Sequence, residues 1–394
     1  MSALWYVGGS LVVLVTAASI LFTLVLPRST GGVVERITLT VNRTVRLLFI
    51  GIAQFAKSYE GKDAVFAPTA PVALVAQLVV WAGLLTLGFA LVLEPTTHAF
   101  GAAVRQSAAS LFTVGQVRAG GAPNEPADIA AGAMWAVIVA LQIAYLPTLY
   151  GAFNRRESLV ARLESRAGVP AWGPEVLVRH QLVGITDALP QFYADWETWA
   201  AEVAESHSTY PVLLLFRSPD PWFSWVVGLL AVLDGAALHL AVAPDSASSQ
   251  ARLCLRMGFT AFNRIARTLG WPVDPDPNPE GPIELTFEEF QQAYDMLVDV
   301  GFPMERSAEE AWPHFVGWRI NYERVAYRLA DRVVAPPAPW SGPRSHLRSG
   351  PVAPRRPPQR SPKKDGKGFL SDRRPEVVVG PTRSRRSRSR QGGP

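Results

Sequence analysis

The sequence predicts an all-α membrane protein. It has three transmembrane helices, a re-entrant loop between the second and third, a cytosolic helical domain and a disordered basic tail. Three observations predict this. The chain of 394 residues is 48% hydrophobic but only 18% charged, against about a quarter charged in average soluble chains. Three uncharged apolar stretches are each long enough to cross a bilayer. The remaining apolar residues recur at helical spacing, and nothing alternates at period two for long.

The spans are Leu4–Leu26, Thr69–Leu93 and Ile129–Phe153, of 23, 25 and 25 residues, with Gln77 and Gln142 as polar exceptions. About 20 apolar residues at 1.5 Å each cover the hydrocarbon core. The first stretch has no basic residue before it and exceeds the usual length of a signal-peptide core, so an uncleaved span is expected. A fourth apolar stretch, Trp222–Ala243, carries Asp234 at its centre. A central Asp costs about 2.5–3.5 kcal/mol on insertion. Crossing there would also export the basic tail. A buried helix in a cytosolic bundle is expected instead, with Asp234 paired to Arg217, Arg252 or Arg256, because a lone buried charge is costly.

Loop charges set the orientation. Residues 28–68 carry Arg28, Arg36, Arg43, Arg46, Lys57 and Lys62, whereas the next loop carries only Arg105 and Arg118. The expected protein is therefore a multi-pass cell-membrane protein with its N-terminus outside and residues 154–334 cytosolic. Tyr145 and Tyr150, with Trp5 and Tyr6 at the other end, read as interfacial anchors. Within residues 28–68, Ile37, Val41, Val45, Leu48, Ile52 and Phe55 share one helical face, opposite Arg36, Arg43, Arg46 and Lys57. Such a helix either lies on the anionic inner surface or packs on the cytosolic domain, and both readings stay open.

The cytosolic part reads as helices over Glu157–Arg166, Leu189–Ser206, Trp222–Ala243 and Ser249–Leu269. Capping boxes Thr286/Glu289 and Ser307/Glu310 open two more, the last running to Val333. Six tryptophans, Trp196, Trp199, Trp222, Trp225, Trp312 and Trp318, are expected to pack its core. A phosphate loop of the form GxxxxGK[ST], GxSxG and HExxH are all absent from the sequence. The run Asp274–Gly281 has its glycine and its twelfth residue wrong for a calcium loop. Cys254 alone supplies no disulfide or cysteine metal site, and His207, His239 and His314 are isolated. Neither enzyme chemistry nor a cofactor or metal is expected, and a membrane-tethered enzyme ranks last. Residues 335–394 hold 15 Lys/Arg against 3 Asp/Glu and are rich in Pro, Ser and Gly, so a disordered tail near anionic lipid is expected. Nucleic acid is an unlikely partner, since the basic residues lack interleaved aromatics.

The loop between the second and third spans is not uniformly polar. Phe100–Phe112 is mostly small and apolar, about 18 Å long as a helix, or half a bilayer. Thr113-Val114-Gly115-Gln116 follows. A short helix and an extended strand between two spans describe a re-entrant segment. Here the chain resembles the potassium-channel-like pore-loop ion channels, whose outer helix, pore helix, TVGYG filter and inner helix match residues 69–153 in order. The resemblance implies a homotetramer in which Thr113, Val114, Gly115 and Gln116 line a filter for a permeant monovalent cation. It also implies an inner-helix gate at Gly132 or Pro147, and regulation by the cytosolic domain or an unknown cytosolic partner. Gln116 stands where the family has Tyr and Val117 where it has the second Gly. A non-conducting scaffold or sensor that keeps the architecture is the alternative.

Overall fold

The computed structural model describes residues 2–26, 33–112 and 125–343, and every regular element among them is helical. In chain order these are α1 (Ser2–Leu24), α2 (Val33–Ala53), α3 (Tyr59–Phe66), α4 (Thr69–Thr97), α5 (Phe100–Leu111), α6 (Glu125–Ala167), α7 (Gly173–Val183), α8 (Leu189–Thr209), α9 (Trp225–Val242), α10 (Ser249–Thr268), α11 (Phe287–Asp299), α12 (Ala308–Arg319) and α13 (Glu323–Arg332). Short 3-10 turns at Thr186–Ala188 and Pro211–Leu215 flank α8. Among the described residues, four segments are long and apolar enough to cross a membrane: α1, residues 59–97, α6 and α9.

Small residues bring α1 against α4. A Cβ on Gly9 would lie 2.7 Å from the Gly88 carbonyl oxygen, and one on Gly88 would lie 2.8 Å from Val13 Cγ2. Close backbone approach of this kind is how apolar helices associate without a hydrophobic driving force between them. Lower down, Trp81 Nε1 donates to Ser19 Oγ at 3.4 Å. The contacts Gly9–Gly88 and Ser19–Trp81 make α1 and α4 antiparallel. The polar exception Gln77 is buried and donates to Thr38 Oγ1 at 2.6 Å, and Thr38 bonds Thr23 at 2.9 Å. One glutamine thus ties α1, α2 and α4 together.

Helix α2 settles between the apolar helices and the domain. Val41 and Val45 are buried with Ala73 of α4, and Arg46 donates to the Arg332 carbonyl of α13 at 3.0 Å. The expected apolar arc splits: Leu48, Ile52 and Phe55 are exposed, as is Leu47.

In the domain, all 18 residues of α9 are buried, enclosed by α7, α8, α10, α12 and α13. Gly173 of α7 lets that helix touch α9, since a Cβ there would meet Asp234 Cβ at 2.5 Å. Both expected capping boxes are present, on α11 and α12. Three expectations need correction. Asp234 pairs with Arg319 at 2.5 Å, whereas Arg217 binds Asp63. The last helix stops at Arg319 and restarts at Glu323, which brings Arg319, Tyr322 and Glu323 together around Asp234. The tail expected from Ala335 begins packed: Ala335, Ala338 and Trp340 are buried, and the Trp340 ring meets Trp172 edge-on at 5.7 Å. Helix α7 was not foreseen. Trp196, Trp199 and Trp225 are buried as expected, and Trp312 and Trp318 pack partly buried against the same core.

Candidate functional site

The candidate site is the α4–α5–α6 unit. Helix α6 runs antiparallel to α4: Ile138 shares a cluster with Trp81 and Leu85, while Tyr145 and Leu149 share one with Ala70 and Leu74. Helix α5 also runs antiparallel to α4. Ala103 clusters with Ala90 and Leu93, Ser107 Oγ donates to the Thr86 carbonyl at 2.8 Å, and Leu111 is buried with Trp81 and Leu85. After the left-handed turn at His98, the chain therefore doubles back along α4 and stops partway down it. Thr86 lies 11 residues before the end of α4, roughly 16 Å along the axis.

The start of α6 lies back at the other level. Ala127 packs on the Ala90–Leu93–Ala103 cluster. From Leu111, beside Trp81 and Leu85, to Ala127, beside Ala90 and Leu93, is a rise of roughly 12 Å along α4 at 1.5 Å per residue. The expected filter residues Thr113, Val114, Gly115 and Gln116 come between α5 and α6 in sequence and lie outside the described residues. Phe112, just before them, meets the Trp135 ring edge-on at 5.1 Å.

A polar clamp fixes α5 to α6. Asp128 accepts from Gln106 Nε2 at 2.9 Å and from Ser110 Oγ at 2.7 Å. Gln106 and Ser107 are buried, so the polar side of α5 faces protein. Sequence reading missed this clamp. Its signal is Asp128, the last charged residue before the uncharged run Ile129–Asn154 of α6. Gly132 sits at the same junction: a Cβ there would meet the Ser110 carbonyl at 3.3 Å. It thus serves close approach of α5 to α6. Pro147 is exposed, and α6 continues through it. Proline removes one backbone bond of the helix at that turn.

Beyond Pro147, α6 is held by the domain. The 3-10 turn Pro211–Leu215 places Val212 and Leu213 against Ala70, Leu74, Tyr145 and Leu149. Tyr145 is thereby buried beneath Tyr210, their rings 5.6 Å apart, so it is no interfacial anchor, while Tyr150, Trp5 and Tyr6 are exposed. Arg156 is buried and donates to the carbonyls of Leu213 and Phe216, each at 3.0 Å, and pairs with Glu157 at 2.7 Å. Its Nη1 also lies 3.0 Å from His207 Nε2. Ten residues on, Arg166 Nη1 lies 3.0 Å from His180 Nε2. In both histidines Nδ1 faces the carbonyl four residues back, Val203 and Val176 respectively. Nδ1–H donates there and Nε2 accepts from arginine, so both rings are neutral. Burial first, and then the neighbouring guanidinium, lower both pKa values, His207 strongly.

A second buried network lies deeper in the domain. Arg319 pairs with Asp234 and donates to Glu323 Oε1, Tyr327 Oη and the Trp340 carbonyl at 2.9, 2.8 and 2.7 Å. Glu323 accepts from the backbone N–H of Glu284 and Leu285. Every one of these partners is internal and Arg319 is fully buried, so the network holds the fold. Asp274–Gly281 forms an exposed turn in which Asp274 Oδ1 accepts from the Asp276 N–H at 3.1 Å. Among the described residues no three His, Cys, Asp or Glu side chains gather as a metal site. Comparison with family models, curated proteins and solved structures finds no match for this chain.

Proposed function

We propose that the chain is a pore-loop membrane protein of potassium-channel-like design, assembled as a homotetramer around a path for a monovalent cation. Helices α1, α4 and α6 cross the bilayer with the N-terminus outside. Helix α9 stays in the cytosolic domain, where protein already covers every side of it. The observation that carries this reading is the descent of α5 along α4 to the level of Trp81, with α6 starting again roughly 12 Å higher. Thr113, Val114, Gly115 and Gln116 follow α5 directly in the sequence. One such loop per chain needs several copies to enclose a path. The gate is assigned to α6 around Pro147, next to the 3-10 turn through which the domain touches it. The basic loop and tail lie along the anionic inner leaflet.

Reconstitution tests this. Purified protein should run as a tetramer and give single-channel currents in planar bilayers that a Gly115→Asp variant lacks. A monomer, or equal silence of both, overturns conduction. The second reading is a non-conducting sensor with the same architecture, favoured by Gln116 and Val117 in the filter positions. It predicts a tetramer without current.

A further inference from the structure

At the Thr69 end of α4, guanidinium groups gather on one small open cleft. Arg46 of α2 and Arg332 of α13 line it together with Phe66, Thr69, Leu215 and Arg217. Arg217 is matched already: it pairs with Asp63 and donates to Tyr59 Oη at 2.8 Å. Arg332 is not matched in that way. The charges acting on its guanidinium are those of Arg46 and Arg43, and these, after burial, lower its pKa to about 10. It stays protonated at neutral pH, so positive charges face one another across the cleft.

Two further features of the cleft suit an anion. The Thr69 side chain is 1% exposed, and its Oγ1 has no hydrogen-bond partner. Thr69 is also the first residue of the 29-residue α4, and the preceding Pro68 offers no side-chain cap. Pro71 has no N–H and the Val72 N–H donates to the Pro68 carbonyl, so this helix start offers the Thr69 and Ala70 N–H groups and the positive end of the helix dipole. Exposed Leu47, Leu48 and Ile52 follow Arg46 on α2 and place apolar surface next to it.

We propose that this cleft holds the phosphate of one anionic phospholipid headgroup, bridging Arg46 of α2 and Arg332 of α13 over the N-terminus of α4. The shared chemistry is a phosphate, and the apolar flank of α2 selects its lipid form over a free ion. A bound headgroup ties the cytosolic domain to the membrane helices beside Phe216, whose carbonyl accepts from Arg156. The proposal rests on the membrane placement of the preceding section, not on conduction. Absence of current leaves it standing, and equal retention of charged and neutral lipid sinks it alone.

The test uses the full chain in neutral detergent, given equimolar phosphatidylglycerol and phosphatidylcholine, with retained lipid read by native mass spectrometry. Wild type should keep phosphatidylglycerol at least fivefold over phosphatidylcholine. Arg332→Gln should bring the ratio near one, and Arg332→Lys should keep most of it. Arg324→Gln, an exposed change on the same helix, should match wild type. Thr69→Val removes an unpartnered hydroxyl at nearly constant volume, so it folds even where Arg332→Gln does not, and it should lower the ratio about threefold. A wild-type ratio in Arg332→Gln or Thr69→Val overturns the site. Displacement of the lipid by 10 mM inorganic phosphate overturns the lipid assignment in favour of a free phosphate.

Discussion

Ser107 Oγ on α5 donates to the Thr86 carbonyl in the middle of α4 at 2.8 Å. That bond fixes how far α5 descends, and the Asp128 clamp fixes where α6 begins relative to it. Asp128→Ala should release both Gln106 and Ser110. Each lost bond to a carboxylate is worth about 1.5–3 kcal/mol. The measurement is maleimide labelling of a cysteine placed at Ala109, which is buried in the folded protein. Asp128→Ala should raise its labelling several-fold. Unchanged labelling would mean that apolar packing alone holds α5.

The α1–α4 crossing gives a paired prediction. A side chain on Gly9 collides with the Gly88 backbone, whereas Gly8 has nothing within 4 Å. Overpacking typically costs about 1–3 kcal/mol, and here the obstacle is backbone that cannot turn aside. Gly9→Leu should lower the thermal midpoint in detergent by several degrees or more, and Gly8→Leu should leave it within error. Equal effects would separate α1 from α4 in the native protein.

Much of this was legible because burial and periodicity speak locally. The apolar stretches, the amphipathic α2 and both capping boxes depend on residues within one or two turns. What escaped depends on residues far apart. Asp234 chose Arg319, 85 positions away, because the break after α12 turns Arg319 inward. Periodicity favours an unbroken helix there. Trp340 lies in a Pro-rich segment whose composition says tail, yet its ring fills a gap between Trp172 and Phe315 that only the assembled domain creates. The apolar arc of α2 was visible, but the sequence could not say that its Val41–Val45 half would meet α4 and its Ile52 half would not. Within the candidate site, the existence of α5 as a short helix followed from the length and apolar character of residues 100–112. The Asp128 clamp did not, because it joins side chains 18 and 22 residues apart.

The Trp340 contact is testable by truncation. A chain ending after residue 334 loses the Trp340 carbonyl that accepts from Arg319 and the ring itself. A chain ending after residue 343 keeps both. The shorter chain should be less stable by about 3–5 kcal/mol, the usual cost of deleting a buried large aromatic. Urea unfolding of the two truncated proteins, followed by tryptophan fluorescence, compares them. Coincident curves would remove Trp340 from the core.

Breaking the Asp234–Arg319 pair should show the asymmetry of buried charge. Removing one partner leaves an uncompensated ion and costs about 3–5 kcal/mol. Arg319→Met should therefore unfold the domain more readily than the double change Arg319→Met with Asp234→Leu, which removes both charges. The readout is the urea midpoint of each variant. A double variant no more stable than Arg319→Met would show that the hydrogen bonds of Arg319 to Tyr327 and Trp340, not the ion pair, carry the network.

The two arginine–histidine pairs predict how stability follows pH. His207 and His180 have pKa values below the ordinary histidine value because both rings are buried beside a guanidinium. The unfolded chain, whose histidines titrate near 6.5, binds more protons than the folded one once the pH drops below that value. The stability contributed by these two histidines therefore rises with pH in this window: it is complete above about pH 6.5 and declines as the pH falls toward the depressed folded values. Each histidine contributes a slope of up to about 1.4 kcal/mol per pH unit there. Protonation would also place positive charge against Arg156 or Arg166, at the point where α6 enters the domain. His207→Gln cannot take up the proton and should flatten the decline between pH 6.5 and 5. Thermal midpoints of wild type and variant across that range decide it. An equal slope in both would mean that His207 is already protonated in the folded protein, and that its contact with Arg156 is not the hydrogen bond described.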